Sequence, residues 1–171
     1  RELGAEHSDV ADTFNWLGDI YFEQDLYVKA KSSYLRALEI NEKTLGPDHI
    51  KTANSLSLLA SVYQFKGSYP QAESLLLRAI SIYKEKDKLE DPEYAYLLMK
   101  LGWNYERLDF NDKAESLFLR SIAIYDQQLG GDNSYLIQAL DSLANLYERQ
   151  GLNNKAESLF KRVIKIEEKE R

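Results

Sequence analysis

This sequence contains no cysteine, only two histidines and only one methionine. A chain without cysteine has no disulfide framework and no thiolate chemistry, which suits a reducing compartment, so we expect a cytoplasmic protein. No apolar run approaches the roughly 18 residues that would suggest a membrane span, and no signal-peptide pattern opens the chain. We therefore expect no membrane partner.

Positive charge is also scarce. The 22 basic residues are outnumbered by 28 acidic ones, which gives a net charge of −6 and a pI near 5.1. A nucleic acid partner requires a basic stripe, so we expect none. The composition is 44% hydrophobic and 29% charged, as in ordinary folded proteins.

Signatures of chemistry are missing too. The chain has no glycine-rich phosphate-binding motif, so we expect no nucleotide cofactor. His7 and His49 occupy equivalent loops and are too dispersed for a metal site. The serines include a regular column that we interpret as packing positions rather than nucleophiles: Ser32, Ser74, Ser116 and Ser158. We expect no catalytic residue, no cofactor and no enzymatic activity.

What the chain does contain is a repeat. Without insertion or deletion, the same residue types recur every 42 positions, which is typical of stacked-repeat proteins. The clearest rows are Leu17, Leu59, Leu101 and Leu143; Gly18, Ala60, Gly102 and Ala144; Tyr21, Tyr63, Tyr105 and Tyr147; and Ala30, Ala72, Ala114 and Ala156.

Each repeat is predicted to be a pair of helices. Val10, Phe14, Leu17 and Tyr21 form the apolar stripe of a first amphipathic helix. A second helix is predicted from about residue 28 to residue 44, where a Leu-Gly-Pro sequence interrupts it. Gly67 is predicted to end the first helix of the second repeat in a left-handed conformation.

The pattern Phe14-x-x-Leu17-Gly18-x-x-Tyr21, followed by Ala30-x-x-x-Tyr34, resembles the tetratricopeptide repeat. The 42-residue length and the inter-repeat sequence Leu-Gly-Pro-Asp-His at 45–49 resemble its kinesin light chain subtype. The resemblance implies an all-α fold, a right-handed α-solenoid of antiparallel helix pairs whose first helices line a concave groove. It implies a single array of four units over about 3–44, 45–86, 87–128 and 129–171.

Two features bear on how the array is used. The chain begins with Arg1, and residues 1–4 align with the end of a repeat at 43–46, so we expect a piece of a longer array or multidomain protein. Between the second and third units, a charged segment at 84–91 replaces the Leu-Gly element. This segment is interpreted either as a solvated helix end or as a joint where the superhelix changes pitch or a partner docks.

The resemblance places the partner-facing positions on one face of each first helix, opposite the packing stripe. We call these twenty residues the groove positions: Asp12, Asn15, Asp19, Phe22, Glu23, Asn54, Ser57, Ser61, Gln64, Phe65, Tyr96, Met99, Trp103, Glu106, Arg107, Gln138, Asp141, Asn145, Glu148 and Arg149.

Six of the groove positions are acidic and two are arginine, which predicts a groove with about four net negative charges. The expected apolar anchors, residue types that dominate binding energy when desolvated, are Phe22, Phe65, Tyr96, Met99 and Trp103. The alternative for Met99 and Trp103 is packing against a neighbouring helix.

Three functions fit these features. The first is a protein-interaction scaffold whose groove binds a peptide or helix with basic and apolar residues. Two uses known in the resembled family fit this groove less well. A chaperone-type carboxylate clamp and the binding of acidic kinesin light chain cargo both need basic groove residues, which this sequence lacks at those positions. The second is weak self-association through the terminal helix, where Phe160, Val163, Ile164 and Ile166 lack a covering helix. The third is a regulatory segment of a larger signalling enzyme.

Overall fold

The computed structural model describes residues 8–129 and 133–169. All regular structure in these two ranges is α-helical. The helices are α1 (Ser8–Glu23), α2 (Tyr27–Thr44), α3 (Ile50–Phe65), α4 (Tyr69–Glu85), α5 (Pro92–Arg107), α6 (Asn111–Leu129), α7 (Ser134–Arg149) and α8 (Asn153–Lys169).

The turn inside each helix pair contains one residue with a left-handed backbone. These residues are Asp25 (φ 59°), Gly67 (φ 71°), Asp109 (φ 66°) and Gly151 (φ 73°), which are equivalent positions in the repeat. Glycine adopts this conformation without steric cost, and aspartate tolerates it better than most residues. The predicted helix stop at Gly67 is therefore confirmed, and aspartate takes the same role in the odd-numbered pairs.

Small residues allow the two helices of a pair to approach closely. Ala30, Ala72 and Ala114 are completely buried, and Ala156 is 4% exposed. At Gly102 an added Cβ would lie 2.6 Å from Cε1 of Phe118, so the ring occupies the space that a methyl group would need. The serine row was interpreted as packing positions, but this was wrong because all four serines are exposed.

The helices are grouped into two compact units, residues 1–87 and residues 88–171. In the first unit, α1 packs on α2, α2 on α3 and α3 on α4; in the second, α5 to α8 pack in the same order. The boundary falls inside the charged segment at 84–91, where residues 84–88 are exposed, as expected for a solvated helix end. Asp91 then caps α5 by accepting a hydrogen bond of 2.9 Å from the backbone N–H of Glu93.

The final helix is better covered than the sequence suggested. Val163 and Ile166, which we expected on an uncovered face, are 7% and 5% exposed. Phe160 is partly buried, whereas Ile164 is 53% exposed. Because α7 packs on α8, part of the apolar surface is already satisfied within the unit. The exposed part of the predicted face is thus narrower and is centred on Ile164.

Candidate partner-binding faces

Three groove positions are inside the protein. Asn15 is 4% exposed, Ser57 is 5% exposed and Met99 is completely buried. The prediction that these side chains face a partner is therefore wrong. For Met99, the alternative of packing within the helical array is the correct one.

The burial of Asn15 has a local cause. Its side-chain nitrogen donates to Oγ of Ser55 on α3 at 3.2 Å, and the side-chain nitrogen of Asn41 on α2 donates to the same oxygen at 3.1 Å. Buried polar groups require such partners, since leaving them unpaired costs about 1–3 kcal/mol. Asn15 therefore ties α1 to α3 in the core of the junction.

The acidic residues of α1 also have partners within the first unit. Asp12 forms a 2.7 Å ion pair with Nζ of Lys51 on α3, and Asp19 accepts a 2.7 Å hydrogen bond from the Tyr34 hydroxyl. Lys51 was not among the predicted groove positions, although it faces the same surface. Lys51 therefore offsets one of the three negative charges predicted for α1. We call the groove positions of α1 and α3 the α1/α3 face, and among them Glu23 is the exposed acid.

At the other end of the α1/α3 face, three aromatic rings form a cluster. The ring centroids of Phe22 and Phe65 are 5.9 Å apart, those of Phe22 and Tyr27 are 5.4 Å apart, and Tyr27 stacks on Phe65 at 4.3 Å. Phe65 is 61% exposed, and Val28 beside Tyr27 in sequence is 75% exposed. We call Phe22, Tyr27, Val28 and Phe65 the aromatic patch.

The aromatic patch joins a shallow depression. It has a volume of about 410 Å³ and is lined by residues 25–29 and by Lys66. Phe22 and Phe65 were predicted from their groove positions. Tyr27 and Val28 were missed because they belong to the second helix of the pair, and only their place beside the left-handed turn at Asp25 could have indicated them.

The other groove positions of α3 are mostly polar. Asn54 is exposed, whereas Ser61 and Gln64 are partly buried. Ser61 donates a 3.3 Å hydrogen bond to the backbone carbonyl of Ser57 one turn earlier. These side chains leave the aromatic patch as the main exposed apolar surface of the α1/α3 face.

In the second unit, Trp103 connects α5 to α7. Its indole Nε1 donates a 2.7 Å hydrogen bond to Oγ of Ser142, and the side chain is partly buried. For Trp103, as for Met99, the alternative of packing against a neighbouring helix is therefore the correct one. Tyr96 is likewise partly buried, with its ring 6.2 Å from that of Tyr135 on α7.

The α5/α7 face is polar and of mixed charge. Glu106 and Arg149 form an ion pair of 2.5 Å. The pKa of Asp141 is raised above its ordinary value of 3.8, mainly because the carboxyl group is partly buried and to a smaller extent because Glu167 carries a nearby negative charge. The remaining groove positions on this face are exposed: Arg107, Gln138, Asn145 and Glu148.

The described residues contain no group of three or more metal-ligating side chains. His49 has a structural contact there, as its Nδ1 accepts a 3.1 Å hydrogen bond from the backbone N–H of Lys51. This bond caps α3. His7 lies outside the described residues. Among the helices that are described, none is both long enough and apolar enough to cross a membrane.

A family model described as tetratricopeptide repeat matches residues 9–85 and 92–169. Because these ranges cover most of the sequence, the chain belongs to the tetratricopeptide repeat family. Members of this family are protein-interaction scaffolds that bind protein partners and typically lack enzymatic activity. No curated protein sequence matches the chain.

Solved structures agree with this assignment. BtubC (BKLC) from P. vanneervenii is 23% identical, with a TM-score of 0.83 over 97% of this chain, which spans 66% of BtubC. A putative kinesin light chain from Podosopora anserina with nearly identical TPR-like repeats is 23% identical, with a TM-score of 0.73 over 99% of this chain and 81% of that one. MamA is 25% identical, with a TM-score of 0.66 over 94% and 80% of the two chains. The predicted all-α solenoid of helix pairs and the resemblance to kinesin light chain-type repeats are confirmed.

Proposed function

We propose that this chain is a non-enzymatic scaffold that binds a peptide or helix of a partner protein on the α1/α3 face of its first unit. The observation that supports the proposal is the aromatic patch. Phe65 and Val28 leave most of their surface in water, while Phe22 contacts the Phe65 ring edge to face and Tyr27 stacks on it. Rings that already pack on one another lose less conformational entropy on binding than isolated side chains do.

The chemistry of the patch and its surroundings defines the partner. A large apolar side chain would cover the Phe65 ring and displace water from it. Glu23 lies one residue after Phe22 and is exposed, so a lysine or arginine near the apolar residue would meet a carboxylate. Asp12 contributes less, because Lys51 already neutralises it. The proposed partner segment therefore carries one apolar anchor and an adjacent basic residue.

Selection from a peptide display library on the wild-type chain tests the proposal. We expect enriched peptides that combine a bulky apolar residue with a nearby lysine or arginine. Replacing Phe65→Ala should weaken their binding by at least about 30-fold, the effect of losing a hot-spot residue. Glu23→Gln should have a smaller effect that increases the dissociation constant mainly at low salt.

Phe110→Ala is the matched control. Phe110 is also an aromatic residue beside a left-handed turn, and it is 51% exposed, but it lies in the second unit. Phe110→Ala should leave the peptide affinity within about threefold of wild type, since changes outside the peptide-binding surface alter the binding free energy by less than about 0.6 kcal/mol. Equal losses for Phe65→Ala and Phe110→Ala, or no loss for Phe65→Ala, would show that the aromatic patch is not the binding surface.

A further inference from the structure

The outer faces of the first and last helix pairs occupy positions that are buried elsewhere in the same chain. Trp16 and Ile20 of α1 are 66% and 50% exposed. Two apolar residues equivalent to Ile20, Val62 on α3 and Leu146 on α7, are only 1% and 0% exposed. Those two helices pack on the preceding pair within their units. We call Thr13, Trp16 and Ile20 of α1, together with Lys29 and Arg36 of α2, the entry face.

The last pair shows the complementary situation. Ile164 of α8 is 53% exposed, whereas its equivalents Leu38 on α2 and Ile122 on α6 are 9% and 7% exposed. Both of those helices pack on the following pair within their units. We call Asn145 of α7, together with Glu157, Phe160, Ile164 and Glu168 of α8, the exit face.

We propose that the exit face of one copy binds the entry face of a second copy, in the same geometry by which α3–α4 follows α1–α2 and α7–α8 follows α5–α6. Both faces come from one repeat pattern, so the side chains that would meet already have counterparts at the two internal junctions. Those counterparts allow each contact to be compared with one observed within the chain.

The first such comparison concerns charge. Arg78 pairs with Glu42 of the preceding helix pair at 2.7 Å, and Arg162 pairs with the equivalent Asp126. Glu168 is the next residue equivalent to Glu42 and Asp126, and Arg36 is equivalent to Arg78 and Arg162. In the contact between copies, Glu168 of one copy would therefore lie beside Arg36 of the next. A second ion pair, between Lys155 and Glu115 at 3.9 Å, has its counterpart in Lys29 and Glu157. At both places an acidic residue of the exit face would meet a basic residue of the entry face. Within one copy, Glu157 already pairs with Lys161 and Arg36 with Glu39, so the added attraction is smaller than at a contact between unpaired charges.

The second comparison concerns the tryptophan contact. At the internal junction, Trp103 of α5 donates its indole N–H to Ser142 of α7. Asn145 occupies the position of Trp103, and Trp16 occupies the position of Ser142. In the contact between copies, Trp16 would therefore donate its indole N–H to the side-chain oxygen of Asn145. The proposed contact would thus pair an indole with a polar side chain, as the internal junction does, but with the tryptophan on the following helix pair instead of the preceding one.

One position opposes the association. Glu106 and Arg149 form an ion pair at the internal junction, but the equivalents between copies are Glu148 and Glu23. Two carboxylates would meet there, so the association is weaker than the internal junctions. Because the contact is heterologous, with different faces on the two partners, it extends into open chains of copies rather than closing as a dimer.

Sedimentation velocity of the wild-type chain from micromolar to millimolar concentration is the direct test. We expect the mean mass to rise continuously beyond that of a dimer. Ile20→Asp should remove the entry face and Ile164→Asp the exit face, so that each variant alone remains monomeric. A mixture of the two should form a one-to-one dimer and nothing larger, because one intact face of each kind remains.

Two further variants sharpen the test. Glu23→Arg should tighten the association by about three- to tenfold, since it converts a repulsive pair into an attractive one. Leu77→Asp is the control, because Leu77 is 46% exposed within α4 and its equivalents Leu35 and Leu119 are also exposed inside the array. It should leave the association unchanged.

Three results would overturn the proposal. The first is a wild-type chain that stays monomeric at millimolar concentration, which would leave the two faces for some other segment or partner. The second is an Ile20→Asp variant that still dimerises alone, since this would indicate a symmetric contact between two exit faces. The third is a mixture of Ile20→Asp and Ile164→Asp that fails to associate while the wild type does. Circular dichroism confirms that each variant is folded.

Discussion

Replacing Gly102 with alanine tests the packing of a helix pair most directly. Gly102 of α5 faces the ring of Phe118 on α6, and an alanine Cβ would lie 2.6 Å, 2.9 Å and 3.1 Å from three of the ring carbons. Phe118 is completely buried, so its ring has no solvent into which it can move. The helices would have to separate or the ring would have to leave its rotamer.

The cost follows from two opposing effects. Overpacking a well-packed core costs about 1–3 kcal/mol, and contacts this short place Gly102→Ala near the upper end of that range. Alanine favours the helix over glycine by about 1 kcal/mol, which offsets part of the loss. We therefore expect a net loss of about 2 kcal/mol in the free energy of unfolding.

Urea denaturation followed by far-UV circular dichroism measures this loss. The second repeat supplies the compensating change, because it has alanine at position 60 and leucine at position 76, where the third repeat has Gly102 and Phe118. The double variant Gly102→Ala with Phe118→Leu should be more stable than the sum of the single changes predicts, since the smaller side chain makes room for the methyl group. A Gly102→Ala protein at least as stable as the wild type would refute the proposed contact.

Three other changes have defined outcomes. Ala114→Leu should lower the free energy of unfolding by roughly 1–3 kcal/mol, because Ala114 is completely buried in the second unit. Amide hydrogen exchange should increase in α5–α8 before it increases in α1–α4, and an unchanged melting temperature would contradict the repeat register. Trp103→Ala should lower the free energy of unfolding by about 2 kcal/mol, because a partly buried indole and its hydrogen bond are lost. Trp16→Ala is the control and should leave the melting temperature nearly unchanged, so equal effects of the two changes would contradict the α5–α7 contact. The folded-state pKa of Asp141 is raised, so its ionisation costs stability as the pH rises above 3.8. Asp141→Asn should therefore raise the melting temperature at pH 7 and have no effect well below pH 3.8, and a pH-independent difference would refute this cause.

The sequence predicted the helix pairs well because the repeat repeats its physical constraints. Four copies of the same pattern place an alanine at each close helix contact, and all four alanines are buried. The left-handed helix stop was predicted where glycine marks it, at Gly67, and the equivalent Asp25 adopts the same conformation. The family and the fold follow from this redundancy.

The surface was predicted less well because a repeat position does not determine its surroundings. Position 15 is asparagine, and its equivalents are Ser57, Met99 and Asp141. Asn15, Ser57 and Met99 are buried, whereas Asp141 is partly exposed and has a raised pKa. Their different environments depend on which side chains the neighbouring helix supplies, such as Ser55 opposite Asn15. Lys51 was missed for the same reason, since its pairing with Asp12 joins two different repeats.

These differences explain why the first and last helix pairs carry more information about function than the interior does. Inside a unit, an apolar residue such as Val62 is buried by the preceding helix pair, and its presence indicates only packing. The equivalent Ile20 has the same chemistry, but half of its side chain is exposed. Exposing an apolar side chain to water costs roughly 25 cal/mol for each Å². The association proposed above would cover this surface, and the mixture of Ile20→Asp with Ile164→Asp determines whether a second copy of the chain does so.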